Sequence, residues 1–439
     1  MPLNFTGLSY ESAQLGHPDF FSASNRSLIA LVRRLGANGV LRIGGNTAEY
    51  TTWSDNDADA LKNLTPQAIG PDAGTAAKTA SIITPVAIRN LNAFVQATGW
   101  QLIYGLNLRR GTPENDDAEA KYVAATLGPR LLAFQIGNEP DMNHADGSRD
   151  RWTFDYYYPL WQKFRDAVLQ AVPSARFAAP DIAKEYSWVT AMAEKHPDIE
   201  FLSGHYYAEG PPADPKMTLE YLLRRGNDPA NGQIATVQEA TRILGKPFRM
   251  TECNSCFHGG KPGVSNTVAS SLWCADFMLQ VAQAGYIGVN LHGGGDGLYT
   301  PIAGSLAEGF TPRPEYYGML LAERFAGATF VASMLSAQIP AQNVTAFAAS
   351  HAGRFKLALF NKAPAPVSLA ISGLGQTVAR AQVTLMHGKA IDATEGVKFG
   401  DSTVSSDGAF DPKPQSALGF RHGAANIQLP AYTAAYVEL

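Results

Sequence analysis

Apolar runs too short for helices alternate, over the first two-thirds of the chain, with segments whose apolar residues recur at helical spacing. The strand-like runs are Asn4–Tyr10, Gly39–Ile43, Gln101–Leu108, the stretch LLAFQIGNEP from Leu131, Arg176–Asp181, Glu200–Tyr207, Pro247–Asn254 and Tyr286–Gly295. Helical spacing separates them at Leu28–Leu35, Pro85–Thr98, Ala118–Leu127, Phe154–Val172, Trp188–His196, Thr236–Leu244 and Ser265–Ala284. Each run is nearly continuous in its apolar residues, which suits strands covered on both faces, and strands of that kind are usually parallel. Parallel strands need crossovers, and the intervening helices supply them.

This alternation predicts an α/β fold, a closed (β/α)8 TIM barrel. A doubly wound open sheet would share it, but the polar and Gly-rich residues gather at the C-terminal ends of the runs, where barrels build their sites. Beyond Tyr317 the pattern shortens to alternating runs: Thr329–Val331, Asn343–Phe347, Phe355–Asn361, Val367–Ile371, Ala381–Met386 and Ala434–Leu439. These predict an antiparallel C-terminal β-sandwich, with residues 1–325 forming the barrel and 326–439 the sandwich.

Composition narrows the function classes. The chain has 439 residues, 45% of them apolar, enough for a large core. A net charge of -4 gives no global attraction to nucleic acid or to an anionic membrane, so an anionic substrate would need local cations. Arg109/Arg110, Arg149/Arg151 and Arg224/Arg225 are candidate clusters, though each also reads as a solvated loop or helix face. The three cysteines, Cys253, Cys256 and Cys274, are too few for a disulfide framework or a zinc site, although Cys253 and Cys256 could still pair with each other. No apolar run reaches the ~18 residues of a membrane span, so membrane insertion is not expected. The first residues read as a strand and not as a signal peptide, so the expected secreted or periplasmic location requires a signal already removed; a cytoplasmic location stays open.

Candidate chemistry lies at the strand ends. Glu139 ends the fourth run and Glu252 the seventh, and in a closed barrel these face each other across the mouth. Two converging carboxyl groups suit glycoside hydrolysis, with one as acid then base and the other as nucleophile. Glu11, Glu49, Asp181 and Glu209 also end or follow strands and suit substrate hydroxyls or structural pairing better. Asn138, just before the proposed acid, can reach a sugar 2-hydroxyl. Cys253 follows Glu252, but no His at readable spacing would activate a thiol.

The segment QIGNEP resembles the acid/base motif of the large clan of (β/α)8 retaining glycosidases. The stretches Phe248–Phe277 and Gly288–Ile302, with GLSYES and RIGGNTAEY earlier, are similar to the heparanase and β-glucuronidase family, glycoside hydrolase family 79. The resemblance runs along the whole chain, sandwich included. It implies Glu139 as acid/base, Glu252 as nucleophile, retention of configuration, and a β-linked glucuronide as substrate. It further implies that Tyr206 stands near the nucleophile while Tyr207 points outward, that Glu11 and Asn46 line the sugar subsite, and that His292, Gly297 and Tyr299 approach the glucuronate, with backbone N–H groups of the Gly-rich turn open to its carboxylate. Where the family carries Tyr, five residues after the nucleophile, this chain has Phe257, with His258 as a candidate substitute.

No metal or organic cofactor is implied. The expected partner is a glucuronate-containing polysaccharide or glycoside; the sequence does not fix an oligomeric state. An endo-acting enzyme on heparan sulfate-type polymer is the leading expectation, because no large blocking insertion is evident. Exo action on terminal glucuronides and a noncatalytic carbohydrate-binding barrel are the alternatives.

Overall fold

The computed structural model describes residues 1–63, 81–144, 150–195, 198–225, 228–294, 297–335, 343–373 and 379–439. Arg149, His196 and Gly295, which figured in the sequence reading, lie outside the described residues.

Eight parallel strands close on themselves: β1 (Thr6–Glu11), β2 (Val40–Gly44), β3 (Gln101–Leu106), β4 (Leu131–Ile136), β5 (Phe177–Ile182), β6 (Phe201–Glu209), β7 (Phe248–Cys256) and β8 (Gly288–Gly293). Closure is made by β1 pairing β8, with Thr6 opposite Val289 and Tyr10 opposite Gly293, which excludes the open doubly wound sheet. Every residue of β1, β2, β5, β7 and β8 is buried, as their continuous apolar character requires.

The crossover helices include α1 (Arg26–Arg34), α2 (Pro85–Thr98), α3 (Pro113–Leu127), α4 (Phe154–Ala171), α5 (Ser187–Lys195), α6 (Leu219–Arg225), α7 (Asp228–Leu244), α8 (Val268–Gln283) and α9 (Pro314–Glu323). Local chemistry sets several of their starts. Thr112 caps α3 by accepting the Asn115 N–H, and Pro113 sits in the first turn, where a missing N–H costs nothing. Thr153 caps α4 in the same way through Tyr156. Helix α8 is buried nearly all round because α9 and the C-terminal sheet cover the side that a surface helix would leave to water.

Downstream, β9 (Val344–His351), β10 (Arg354–Asn361), β12 (Arg380–His387) and β15 (Thr433–Glu438) form the centre of an antiparallel sheet, and β11 (Val367–Ile371) pairs β14 (Ala425–Leu429) in a second. Strand β13 (Ser416–Gly419) adds to β12. The sequence reading missed β13 and β14, although β14 alternates buried and exposed residues strictly. Alternation in β10 and β15 divides two cores. Ala358, Phe360, Ala434 and Tyr436 face the barrel core, whereas Leu357, Leu359, Ala435 and Val437 fill the space between the two sheets. One sheet is therefore buried on both faces and ties the sandwich to the barrel.

Candidate active site

The inward positions of a small barrel must be filled, and here several are filled by polar side chains that satisfy one another. Arg42, 1% exposed in the middle of β2, is the hub. Its Nε donates to Gln135 Oε1 (3.0 Å), its Nη1 to Glu252 Oε2 (2.6 Å) and Ser9 Oγ (3.2 Å), and its Nη2 to Asp181 Oδ2 (2.7 Å) and Asn138 Oδ1 (2.7 Å). A buried guanidinium that meets two carboxylates and three neutral acceptors is compensated in charge and in hydrogen bonds.

Two backbone irregularities aim the carboxylates. Gly137 (φ 88) and Glu139 (φ 47) both take left-handed conformations just past β4, so the chain turns sharply and brings Glu139 to the mouth; its N–H donates to the Asp181 carbonyl at 3.0 Å. In β7 the register against β6 slips by one, with Gly204 opposite Met250 but His205 opposite Glu252. The extra residue, Thr251, lets two successive side chains reach inward: Thr251 Oγ1 donates to Asp181 Oδ1 (2.6 Å), and Glu252 stands above it. Donor atoms of Glu139, His205 and Glu252 all lie within 4.8 Å of one another.

The two glutamates have opposite electrostatic surroundings. Burial would raise Glu252, but His292, His205 and Arg42, with the Tyr207 hydroxyl donating at 2.7 Å, hold it well below the usual carboxylate range. Glu139 is raised: burial outweighs its hydrogen bond to His205, and the charges of Glu252 and Asp141 add to the effect. At 19% side-chain exposure against 6% for Glu252, Glu139 is the carboxyl group open to the mouth.

His205 sits between carboxylates, with Nδ1 3.0 Å from Glu139 Oε1 and Nε2 3.1 Å from Asp181 Oδ1. Burial alone would lower it, yet the charges of Asp181 and Glu252 push it up to about 10. Glu139, His205 and Glu252 form the one described group whose donor atoms have the spacing a cation needs. His205 Nδ1, however, is already bonded to Glu139, and Arg42 already neutralises Glu252, so the group is a set of paired acids and bases and not a ligand set.

Of the other residues expected from the sequence, Asn138, Glu11 and His292 join this network. Asn138 accepts from Arg42 and donates weakly to Asn46 Oδ1 at 3.4 Å. Glu11 accepts the Thr47 N–H (2.7 Å) and hydroxyl (2.6 Å), and its Oε1 lies 3.4 Å from His292 Nε2. Tyr299 is buried beside Tyr207 and His292, with ring centroids 6.1 and 6.2 Å away.

Two expectations need correction. Tyr206 does not face the site: its ring stacks on Phe277 of α8 at 5.0 Å, and Tyr207 is the tyrosine on Glu252. Strand alternation explains this, since His205 and Tyr207 share the inward face of β6 and Tyr206 lies on the other. Among the described residues of the Gly-rich turn, backbone N–H groups are also engaged within the protein. Gly294 N–H donates to Thr300 Oγ1 (2.9 Å), Gly297 N–H to the Gly294 carbonyl (3.4 Å) and Leu298 N–H to the Gly259 carbonyl (3.0 Å), so these amides already have acceptors. His258, the candidate substitute for the missing tyrosine hydroxyl, is exposed, and its ring stands edge-on to Phe257 at 4.8 Å.

The three cysteines are free and buried. Burial, with Glu315 and Glu252 nearby, holds the Cys253 thiol protonated, and its Sγ contacts the Asn290 carbonyl at 3.5 Å, which argues against a thiol nucleophile. The sequence reading missed Arg42, Gln135, His205 and Thr251. The available signal was a polar residue inside an apolar strand, as in VLRIG and LLAFQI.

No family model matches the chain. Its fold is that of the (β/α)8 glycosidases. A 4-O-α-L-rhamnosyl-β-D-glucuronidase from Fusarium oxysporum superposes with a TM-score of 0.80 at 20% identity, covering 99% of this chain and 95% of that one. A family 51 arabinofuranosidase from Xanthomonas axonopodis pv. citri gives 0.68 at 16% identity, covering 94% and 89%. In sequence the chain is 26% identical over 341 residues to a β-glucuronidase of Aspergillus niger (70% of this chain, 60% of that protein). It is 25% identical over 260 residues to heparanase of Gallus gallus (56% and 48%). The chain thus spans less than two-thirds of the length of the curated relatives it matches. These likenesses agree with the heparanase and β-glucuronidase family that the strand-end motifs resemble.

Proposed function

We propose that the chain is a retaining glycoside hydrolase acting on β-linked glucuronides, with Glu139 as acid/base and Glu252 as nucleophile. The observation that carries the reading is the pair itself: two carboxyl groups close across one mouth, one raised and open, the other lowered and held by Arg42 and Tyr207. Retaining enzymes need carboxyl groups ~5 to 5.5 Å apart, and inverting enzymes need ~6.5 to 9.5 Å so that a water fits between. Donor atoms within 4.8 Å favour the first class. In this mechanism Glu252 attacks the anomeric carbon while Glu139 protonates the departing oxygen, and Glu139 then deprotonates the water that releases the sugar. The likeness to proteins named β-glucuronidase and heparanase supports the glucuronide as the sugar.

Hydrolysis of an aryl β-glucuronide tests the reading. Wild type should release the phenol and Glu252→Ala should not; equal rates would remove the nucleophile. Glu139→Ala should lose roughly 10²- to 10⁴-fold with a poor leaving group and far less with a good one. Equal impairment would remove the acid role. NMR of the first-formed sugar should give the β-anomer, and an α-anomer would make the enzyme inverting.

Within this class we favour endo action on a heparan sulfate-type polymer. Arg109 and Arg110 after β3 and Lys184 after β5 supply cations at the end of the barrel that carries both glutamates. Product sizing separates the alternatives: endo cleavage yields large fragments early, whereas exo cleavage yields monosaccharide from the start.

A further inference from the structure

We infer that Asp181 is a positioning residue that, as the fixed charge beside His205, keeps it an imidazolium and, through it, fixes Glu139 at the reacting bond. The inference rests on the assignment of Glu139 and Glu252 above. Asp181 is 1% exposed, below the two glutamates and out of reach of a substrate, yet four strands besides its own converge on it. Its Oδ2 accepts from Arg42 of β2 (2.7 Å), and its Oδ1 accepts from Gln135 of β4 (2.6 Å) and Thr251 of β7 (2.6 Å) and lies 3.1 Å from His205 Nε2 of β6. Its backbone, at φ 60, turns its carbonyl to the Glu139 N–H. One residue thereby holds the acid's main chain directly and its side chain through His205.

The surroundings favour a charged His205. Its Nδ1 bonds Glu139 Oε1 at 3.0 Å, and its Nε2 lies 3.1 Å from Asp181 Oδ1 without hydrogen-bond alignment, so Asp181 acts on the ring through its charge. The charged groups facing the ring are Glu139 from β4, Asp181 from β5 and Glu252 from β7, whose Oε2 is 3.9 Å from Nδ1. Arg42 of β2 meets Asp181 on its other oxygen, and Tyr157 of α4 is a further titratable group facing Asp181. Two of the three carboxylates facing the ring belong to the proposed reaction and change charge or bonding during it. Asp181 does not, so it is the fixed counter-charge.

Removing that charge should leave His205 neutral at working pH. Glu139 and Glu252 would then lose a cationic neighbour, and both would hold their protons to higher pH. A purely structural Asp181 would lower the rate and leave the pH dependence where it was.

The test is Asp181→Asn, with kcat/KM for an aryl β-glucuronide followed from about pH 4 to 8, alongside nitrogen NMR of 15N-histidine protein. Both limbs of the profile should move up by about one pH unit, as expected for loss of an adjacent charge. In wild type both His205 nitrogens should stay protonated through pH 7. An unmoved or acid-shifted profile in the folded variant overturns the inference. A neutral His205 in wild type at pH 7 overturns it without any variant, which covers the case of Asp181→Asn failing to fold. If wild type cleaves no β-glucuronide, the functional reading fails, and the nitrogen spectrum still decides the role of Asp181.

Discussion

The Tyr207 hydroxyl donates to Glu252 Oε1 at 2.7 Å, while Tyr206, one residue earlier, turns its ring onto Phe277 on the other side of the same strand. Burial, with Glu252 adjacent, keeps the Tyr207 phenol protonated far past neutrality, so it acts as a donor at any working pH. A hydrogen bond to a charged group contributes about 1.5 to 3 kcal/mol. Tyr207→Phe should therefore lower kcat/KM by roughly 10- to 100-fold and raise the acidic limb of the pH profile, because Glu252 ionises less readily. Tyr206→Phe should leave that limb unmoved. A shift of the limb in Tyr206→Phe alone would reverse the assignment.

Arg42 tests the floor of the site. A lysine there would keep the charge but lose the planar fork that reaches Glu252, Asn138 and Asp181 together. Arg42→Lys should reduce kcat by at least roughly tenfold, since the guanidinium fork orients the nucleophile and not the aglycone. Steady-state kinetics that changed KM alone would contradict this.

The eight barrel strands were legible because each is buried on both faces, and a short unbroken apolar run has few other homes. The carboxylates were legible for a related reason, since a Glu ending such a run stands out. The interior network was not. Arg42 bonds residues 93 and 210 positions away, and only closure of the barrel makes them neighbours. The two tyrosines failed differently: Tyr suits either face of β6, so the pair carries no alternation of its own, and the inward parity is readable only from Ser203 and His205 before it. The slip at Thr251, which lets both Thr251 and Glu252 face inward, breaks the period on which any such reading depends.

The joint between barrel and sandwich carries a buried ion pair. Asp276 of α8 meets Lys362, just past β10, and also accepts the Thr345 hydroxyl of β9 at 2.7 Å; the two charged side chains are 1% and 6% exposed. Removing one partner strands the other charge, a loss of about 3 to 5 kcal/mol. Asp276→Ala should lower the denaturant midpoint strongly, and the double change Asp276→Leu with Lys362→Met should recover much of the loss. Equal midpoints for the single and double variants would mean that the stranded lysine is not the cause.

Buried carboxyl groups behind the site set how stability varies with pH. Glu119 of α3 is buried, accepts the Tyr104 hydroxyl at 2.6 Å, and is pushed up by burial from 4.5 to about 7. Glu49, which accepts the N–H groups of Asn138 (3.0 Å) and Arg109 (2.6 Å), is raised by burial to about 7 as well. Between pH 4.5 and about 7 the folded chain keeps these protons while the unfolded chain has released them. The folded state thus binds more protons in that window, and stability falls as pH rises, by up to about 1.4 kcal/mol per unit for each group. The contribution is fully present below the unfolded value, and no further loss from these groups follows above about 7. Glu119→Gln retains an acceptor for Tyr104 but cannot ionise, so its urea midpoint should fall less between pH 5 and 7.5 than that of wild type. Parallel curves for the two proteins would mean that Glu119 is already ionised in the folded state and that its raised value is wrong.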